Sequence, residues 1–168
     1  MYLTIWRHGE AGVASSDRQR ELTPTGVDDI GFGCQRFHEH CESRGVPHPQ
    51  RILYSEWLRT TQTANLIARV YNHALLQACD ALLPGRRPAQ VDTVLGELAG
   101  AGDGEGVHIL LVSHQPLVSA LVDHYEGERD RSPGLVPGGL ATFDLAVPAA
   151  GGGQLLFIAQ PPEYAVWG

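Results

Sequence analysis

The stretch Tyr2-Leu3-Thr4-Ile5-Trp6-Arg7-His8-Gly9 begins as a β-strand and ends as a candidate site. Its first five residues are β-branched, aromatic or apolar, the composition of a strand. That strand opens directly onto a guanidinium, an imidazole and a glycine. A polar loop follows over 11–21, carrying Ser15, Ser16, Asp17, Arg18 and Arg20. Thr23-Pro24 then marks a helix start, with Thr23 as cap and Pro24 at the first helical position. The helix is expected to reach Arg44, because Val27, Ile30, Cys34, Phe37 and Cys41 fall on one three-four stripe. Gly45-Val46-Pro47 ends it.

Further along, the same strand-then-polar pattern recurs. Arg51-Ile52-Leu53-Tyr54 reads as a strand that delivers Ser55, and 56–72 as a helix with Arg59 near its start. Its apolar face is looser, made by Leu58, Thr61, Ala64, Leu66, Ile67 and Val70. An edge strand is expected at 74–78, a turn at 84–88 and a helix at 89–99. After the glycine-rich 100–106 comes the strongest strand, 107–112, apolar throughout after His108 and therefore central and buried on both faces. It delivers Ser113-His114, and Pro116 leads into a helix over 117–125. Two antiparallel strands, 139–147 and 154–160, close the chain around the flexible 149–153. This alternation describes an α/β fold, read as one domain over 1–168.

Composition narrows the partners. Twelve basic against nineteen acidic residues leave a net charge of −7, unsuited to nucleic acid or an anionic membrane as main partner. The first residues lack the basic and long apolar regions of a signal peptide, and no apolar run is long enough to span a bilayer. Cys34, Cys41 and Cys79 are an odd set at no metal-ligand spacing, so no disulfide framework is expected and a reducing cytoplasm is the natural compartment.

Three polar clusters thus stand at the carboxyl ends of three strands, the edge where open α/β sheets bind ligands. They are Arg7-His8, Ser55 with Arg59, and Ser113-His114. Guanidinium groups grip phosphoryl oxygens by paired, permanently charged hydrogen bonds. A neutral imidazole is a good nucleophile near neutrality and can carry phosphorus covalently. Phosphoryl transfer asks mainly for positioning and charge stabilisation, which such a set supplies without a metal or cofactor. Amides at the start of the helix after His114 would add positive charge.

Arg7-His8-Gly9-Glu10-Ala11 resembles the opening signature of the histidine phosphatase (phosphoglycerate mutase-like) superfamily. The stretch from Ser55 through Arg59 to Gln62-Thr63-Ala64 is similar to its second block, and Val112-Ser113-His114 to its third. The short chain, Ser16-Asp17-Arg18-Gln19-Arg20-Glu21-Leu22-Thr23 and Ser113-His114-Gln115-Pro116-Leu117-Val118 look most like the small SixA-type branch of phosphohistidine phosphatases. The resemblance implies a three-layer α/β/α sandwich with a mostly parallel central sheet. It also implies a two-step reaction in which His8 takes the phosphoryl group and water removes it. Arg7, Arg59 and His114 would bind the transferred oxygens, with Gln115 beside them. The implied substrate is protein phosphohistidine, typically on a histidine phosphotransfer domain, and the protein is expected to act as a monomer.

The chain departs from the pattern where a proton donor is expected. Asp80 is the one acid of its segment, and Ala81 stands where the branch tends to carry an acid; Glu10 is the other candidate donor. Without a donor, an activated N–P bond is favoured as substrate over an alkyl phosphate ester. Phosphatase action on small esters or anhydrides is the alternative, and a non-catalytic phospho-binding scaffold the alternative of another class.

Other polar residues have plainer readings. Ser55 and Ser113 are expected to cap helices. Asp17 and Arg20 shape the loop, by a mutual ion pair or by substrate contact. Gly85-Arg86-Arg87 either rims the pocket or is solvated. Cys34, His38 and Cys41 share a helix side, but the stripe assigns both thiols to the core, which sets a metal site aside.

Overall fold

Seven strands form one sheet in the order β3-β2-β4-β1-β5-β6-β7, and the strand that carries His8 lies at its centre. The computed structural model describes residues 1–101, 106–128 and 132–167. Its strands are β1 (Tyr2–Arg7), β2 (Arg51–Tyr54), β3 (Leu75–Ala78), β4 (His108–Ser113), β5 (Leu140–Leu145), β6 (Gly153–Ala159) and β7 (Val166–Trp167). Helices α1 (Pro24–Arg44), α2 (Leu58–Val70), α3 (Pro88–Gly100) and α4 (Leu117–Glu126) alternate with the first four. Strands β1 to β4 are mutually parallel; β5 is antiparallel to β1, and β6, antiparallel to β5, runs with β1 again. The sheet is mostly parallel with an antiparallel edge, as expected.

Apolar residues on both faces of the central strands explain the three layers. Leu3, Ile5, Ile109 and Leu111 face one way and pack with Val91 and Leu95 of α3 and Val118, Leu121 and Val122 of α4. Trp6, Ile52, Leu110 and Val112 face the other way and pack with Ile30, Cys34 and Phe37 of α1 and Ala64 and Ile67 of α2. Consecutive residues of a strand project to opposite faces, so one uninterrupted apolar run supplies two cores. Every residue of β4 is buried.

Thr23 caps α1 by accepting from the amide of Gly26, and Gly45 ends the helix in the left-handed conformation. Val27, placed on the stripe, is instead 40% exposed; the other four stripe residues are buried. On α2 the expected apolar face is corrected more strongly. Its buried side is Arg59, Thr60, Thr63, Ala64 and Ile67, and Val70 is half exposed. A polar face turned inward breaks the apolar period there. The short β7 was not foreseen, and residues 102–105 of the glycine-rich connection lie outside the described residues. No helix among the described residues is long and apolar enough to cross a membrane.

Candidate active site

Register brings the polar clusters together. Arg7 at the end of β1 pairs with Ser113 of β4, while Tyr54 of β2 pairs with Val112. His8, Ser55 and His114 therefore emerge side by side at the carboxyl edge. The rings of His8 and His114 stand edge to face, 5.4 Å between centroids. Arg59, the second residue of α2, reaches His8 with its Nε at 3.1 Å from the ring Nε2.

Hydrogen bonding fixes the tautomer of His8. Its Nδ1 lies 2.7 Å from the carbonyl oxygen of Gly9, which can only accept, so Nδ1 carries the proton. Nε2 is left with its lone pair, facing the Nε–H of Arg59. The ring is buried, and desolvation, helped by Arg59, Arg7 and Arg20 against the Gly9 bond, pushes its pKa down to about 4. His8 is a neutral imidazole with Nε2 as its nucleophilic atom.

His114 is held at Nε2, 2.8 Å from the hydroxyl of Ser55. Its Nδ1 is buried without a partner among the described residues. Burial first, then His8 and Arg59, push its pKa down to about 3. Ser55 Oγ also accepts from the Trp57 amide at 3.5 Å; with its own O–H donated to Nε2, Nδ1 of His114 bears the proton. That N–H is the one polar group of His114 left to offer a ligand.

Both arginines are anchored from unexpected places. One terminal nitrogen of Arg7 donates to the carbonyl of Leu135 at 2.9 Å, and its Nε is buried without a partner among the described residues. Arg59 donates to the backbone carbonyl of Asp17 at 2.6 Å and to the Asp17 carboxylate at 3.3 Å, and stacks over Trp57. Thr63 accepts from the Gly9 amide and donates to the Arg59 carbonyl, tying the turn after His8 to α2. Asp17 also pairs with Arg20 at 3.0 Å, so the loop pair is ionic and reaches the cluster as well. The Arg20 hydrogen bond first, then Arg59, hold the Asp17 carboxyl below the usual range.

Other expected residues lie elsewhere. Gln115 turns its amide away: it donates to Ser119 and to Leu135 and accepts from the Ser119 amide. It closes the first turn of α4 and shares with Arg7 the carbonyl that anchors it. The Val118 and Ala120 amides go to the His114 and Pro116 carbonyls, and the Ser119 amide to the Gln115 side chain. Asp80 is exposed and lines a surface hollow with Gln77, Val94 and Glu97, joined to the cluster by no hydrogen bond or ion pair among the described residues. Glu10 is exposed beside α1, where its charge bears on Asp29. Ser113 and Ser55 do not cap helices: Ser113 donates to the Leu82 carbonyl, and Ser55 serves His114. Arg86 closes its own turn by donating to the Asp80 carbonyl. The Asp17 and Leu135 contacts were missed because they join residues far apart in the chain, which no spacing reveals.

The cluster is thus a buried neutral imidazole between two arginines and a second histidine with a free N–H, suited to receiving a tetrahedral oxyanion. No protein-family model matches the chain. A phosphohistidine phosphatase SixA homolog of Haemophilus influenzae is 32% identical over 133 residues, covering 77% of this chain and 80% of the relative. Among solved structures, the protein histidine phosphatase SixA complexed with tungstate matches with a TM-score of 0.74 at 24% identity, over 96% of this chain and 97% of that one. A mycobacterial glucosyl-3-phosphoglycerate phosphatase, complexed with VO3, matches with a TM-score of 0.70 at 13% identity, over 92% of this chain and 97% of that one.

Proposed function

The chain belongs to the SixA-type branch of the histidine phosphatase superfamily, and on that premise we propose that it hydrolyses phosphohistidine on a protein through a phosphoryl group carried on Nε2 of His8. The observation that supports this most directly is the Nδ1–H bond of His8 to the Gly9 carbonyl, which directs the lone pair at Nε2 toward Arg59. In the first step Nε2 attacks phosphorus in line, and the N–P bond of the substrate breaks. Its electron pair stays on the leaving imidazole, which takes a proton from solvent. Water then attacks phosphorus on His8, releasing inorganic phosphate and restoring the neutral ring.

Arg7, Arg59 and the Nδ1–H of His114 are the groups proposed to hold the equatorial oxygens. The Arg59 Nε–H that now faces Nε2 would pass to a phosphoryl oxygen as the lone pair is committed to phosphorus. Asp17, ionised by Arg20 and Arg59, is a poor proton donor, and neither Asp80 nor Glu10 bonds to the cluster. That favours a substrate whose leaving group needs little protonation, as phosphorylated imidazole does. A phosphotransfer domain carrying phosphohistidine fits this chemistry.

The test is phosphoryl trapping together with substrate competition. The wild-type protein should acquire an acid-labile phosphate that His8→Ala does not, with turnover lost in the variant. Values of kcat/KM should rank a phosphorylated phosphotransfer domain and free phosphohistidine above sugar phosphates. Undiminished turnover in His8→Ala would end the mechanism. Faster turnover of sugar phosphates would move the substrate to small esters and leave the nucleophile standing.

A further inference from the structure

Away from the active site, the last turns of α1 and the loop after it gather a second group of histidines. His38 and Glu42 stand four residues apart on α1, with His38 Nε2 at 3.3 Å from a Glu42 carboxylate oxygen. The chain turns back at Gly45, and His48 comes to lie against His38, ring centroids 4.4 Å apart. One ligand atom from each of His38, Glu42 and His48 lies within 4.8 Å of the other two. We propose that these three side chains form a binding site for a late divalent transition ion, for which zinc is the probe, tying the end of α1 to the segment that leads into β2.

The donor set and its spacing carry this. Two imidazoles and one carboxylate suit zinc, nickel or copper and are a poor match for magnesium or calcium, which take oxygen ligands. Tetrahedral zinc with bonds near 2.0–2.2 Å separates neighbouring donor atoms by about 3.4 Å. His38 and Glu42 already stand at that separation, and a rotamer adjustment of exposed or half-exposed side chains brings His48 in. A solvent molecule would complete four-coordination. The i, i+4 spacing on a helix places two ligands on one face, and the Gly45 turn supplies the third from a different segment.

Tyr71 packs against His38 and His48, limiting their motion from the core side. Cys34 and Cys41, the thiols that first suggested a metal on this helix, take no part: both are buried, and burial pushes each thiol up to about 12. Two of the ligands come instead from less buried positions of α1, and the third from the loop after it.

Zinc titration of the metal-free protein, followed by calorimetry and thermal unfolding, tests the site. We expect one equivalent to bind saturably and to raise Tm by about a few degrees, since an ion that binds only the folded chain stabilises it. His38→Ala and His48→Ala should each weaken binding at least about tenfold, as expected for loss of a ligand. Phosphatase activity in chelator-treated buffer should be unchanged in both. His8→Ala must bind zinc as the wild type does, because His8 and His114 are the competing pair of imidazoles. Cobalt in place of zinc should give the visible absorption of a tetrahedral ion, a signature independent of stability. No saturable binding, or binding lost in His8→Ala and kept in His38→Ala, would overturn the proposal.

Discussion

Ser55 stands where β2 gives way to α2, and its hydroxyl holds the Nε2 edge of His114. The Thr60 hydroxyl donates to the Ser55 carbonyl, so the residue is fixed from both ends. Removing the hydroxyl leaves a buried imidazole nitrogen unsatisfied, a cost of about 1–3 kcal/mol. It also frees His114 to exchange tautomers, so Nδ1 would carry its proton only part of the time. Ser55→Ala should therefore lower kcat by about tenfold while KM changes little, because one oxyanion donor is misaligned in the transition state. The phosphoryl group trapped on His8 should persist longer, as its hydrolysis uses the same donor. Unchanged kcat in a variant with lowered Tm would make Ser55 a structural partner only. His8 needs no such support for its tautomer, since the Gly9 carbonyl is covalently adjacent.

Among the elements, the joint between β1 and α1 controls how His8 is presented. Gly26, in the first turn of α1, lies so close to the loop that a Cβ there would sit 2.2 Å from the carbonyl oxygen of Glu10. That oxygen already accepts from the Thr23 amide, so it cannot retreat without breaking the helix start. Gly26→Ala should push the loop after His8 outward, costing about 1–3 kcal/mol as overpacking does. Activity should fall by more than the loss of folded protein accounts for, which kcat/KM per folded molecule measures. A variant as stable and active as wild type would mean that α1 can shift as a body. This close approach is invisible in the sequence, where Thr23-Pro24-Thr25-Gly26 announces only a cap. Strand β2 and helix α1 were legible almost to the residue because apolar period, cap and breaker agree there. The buried face of α2 was not, because Arg59, Thr60 and Thr63 turn inward where an apolar period would put other residues, and β7 is too short to show a pattern. Likewise Arg7, His8, Arg59 and His114 could be named from strand ends, whereas their anchors at Asp17 and Leu135 depend on where loops return.

Across the whole molecule, three buried imidazoles make stability depend on pH in a definite direction. His8, His114 and His108 are each kept neutral by burial, with pKa values of about 4, 3 and 4. The unfolded chain binds protons on these groups near pH 6.5, whereas the folded chain resists until much lower pH. Stability from this source is complete above the unfolded value and is lost as pH falls from about 6.5 toward about 4. His108 isolates the effect, because it lies at the opposite end of β4 from the active site. Its Nδ1–H donates to the Pro47 carbonyl at 2.6 Å, and its Nε2 accepts from the Thr4 hydroxyl at 2.8 Å. Thr142 in turn donates to Thr4, so the ring closes a buried chain of hydrogen bonds across three strands. Protonating Nε2 would set a donor against the Thr4 hydroxyl and reverse that chain. His108→Gln removes the titration, and the informative quantity is the change with pH, since the substitution also alters packing. Between about pH 7.5 and pH 5 the wild type should lose about 2 kcal/mol more unfolding free energy than His108→Gln, by urea denaturation at both values. Equal losses in the two proteins would place the acid sensitivity in the pair His8 and His114 or in the carboxylates, and remove His108 from the account.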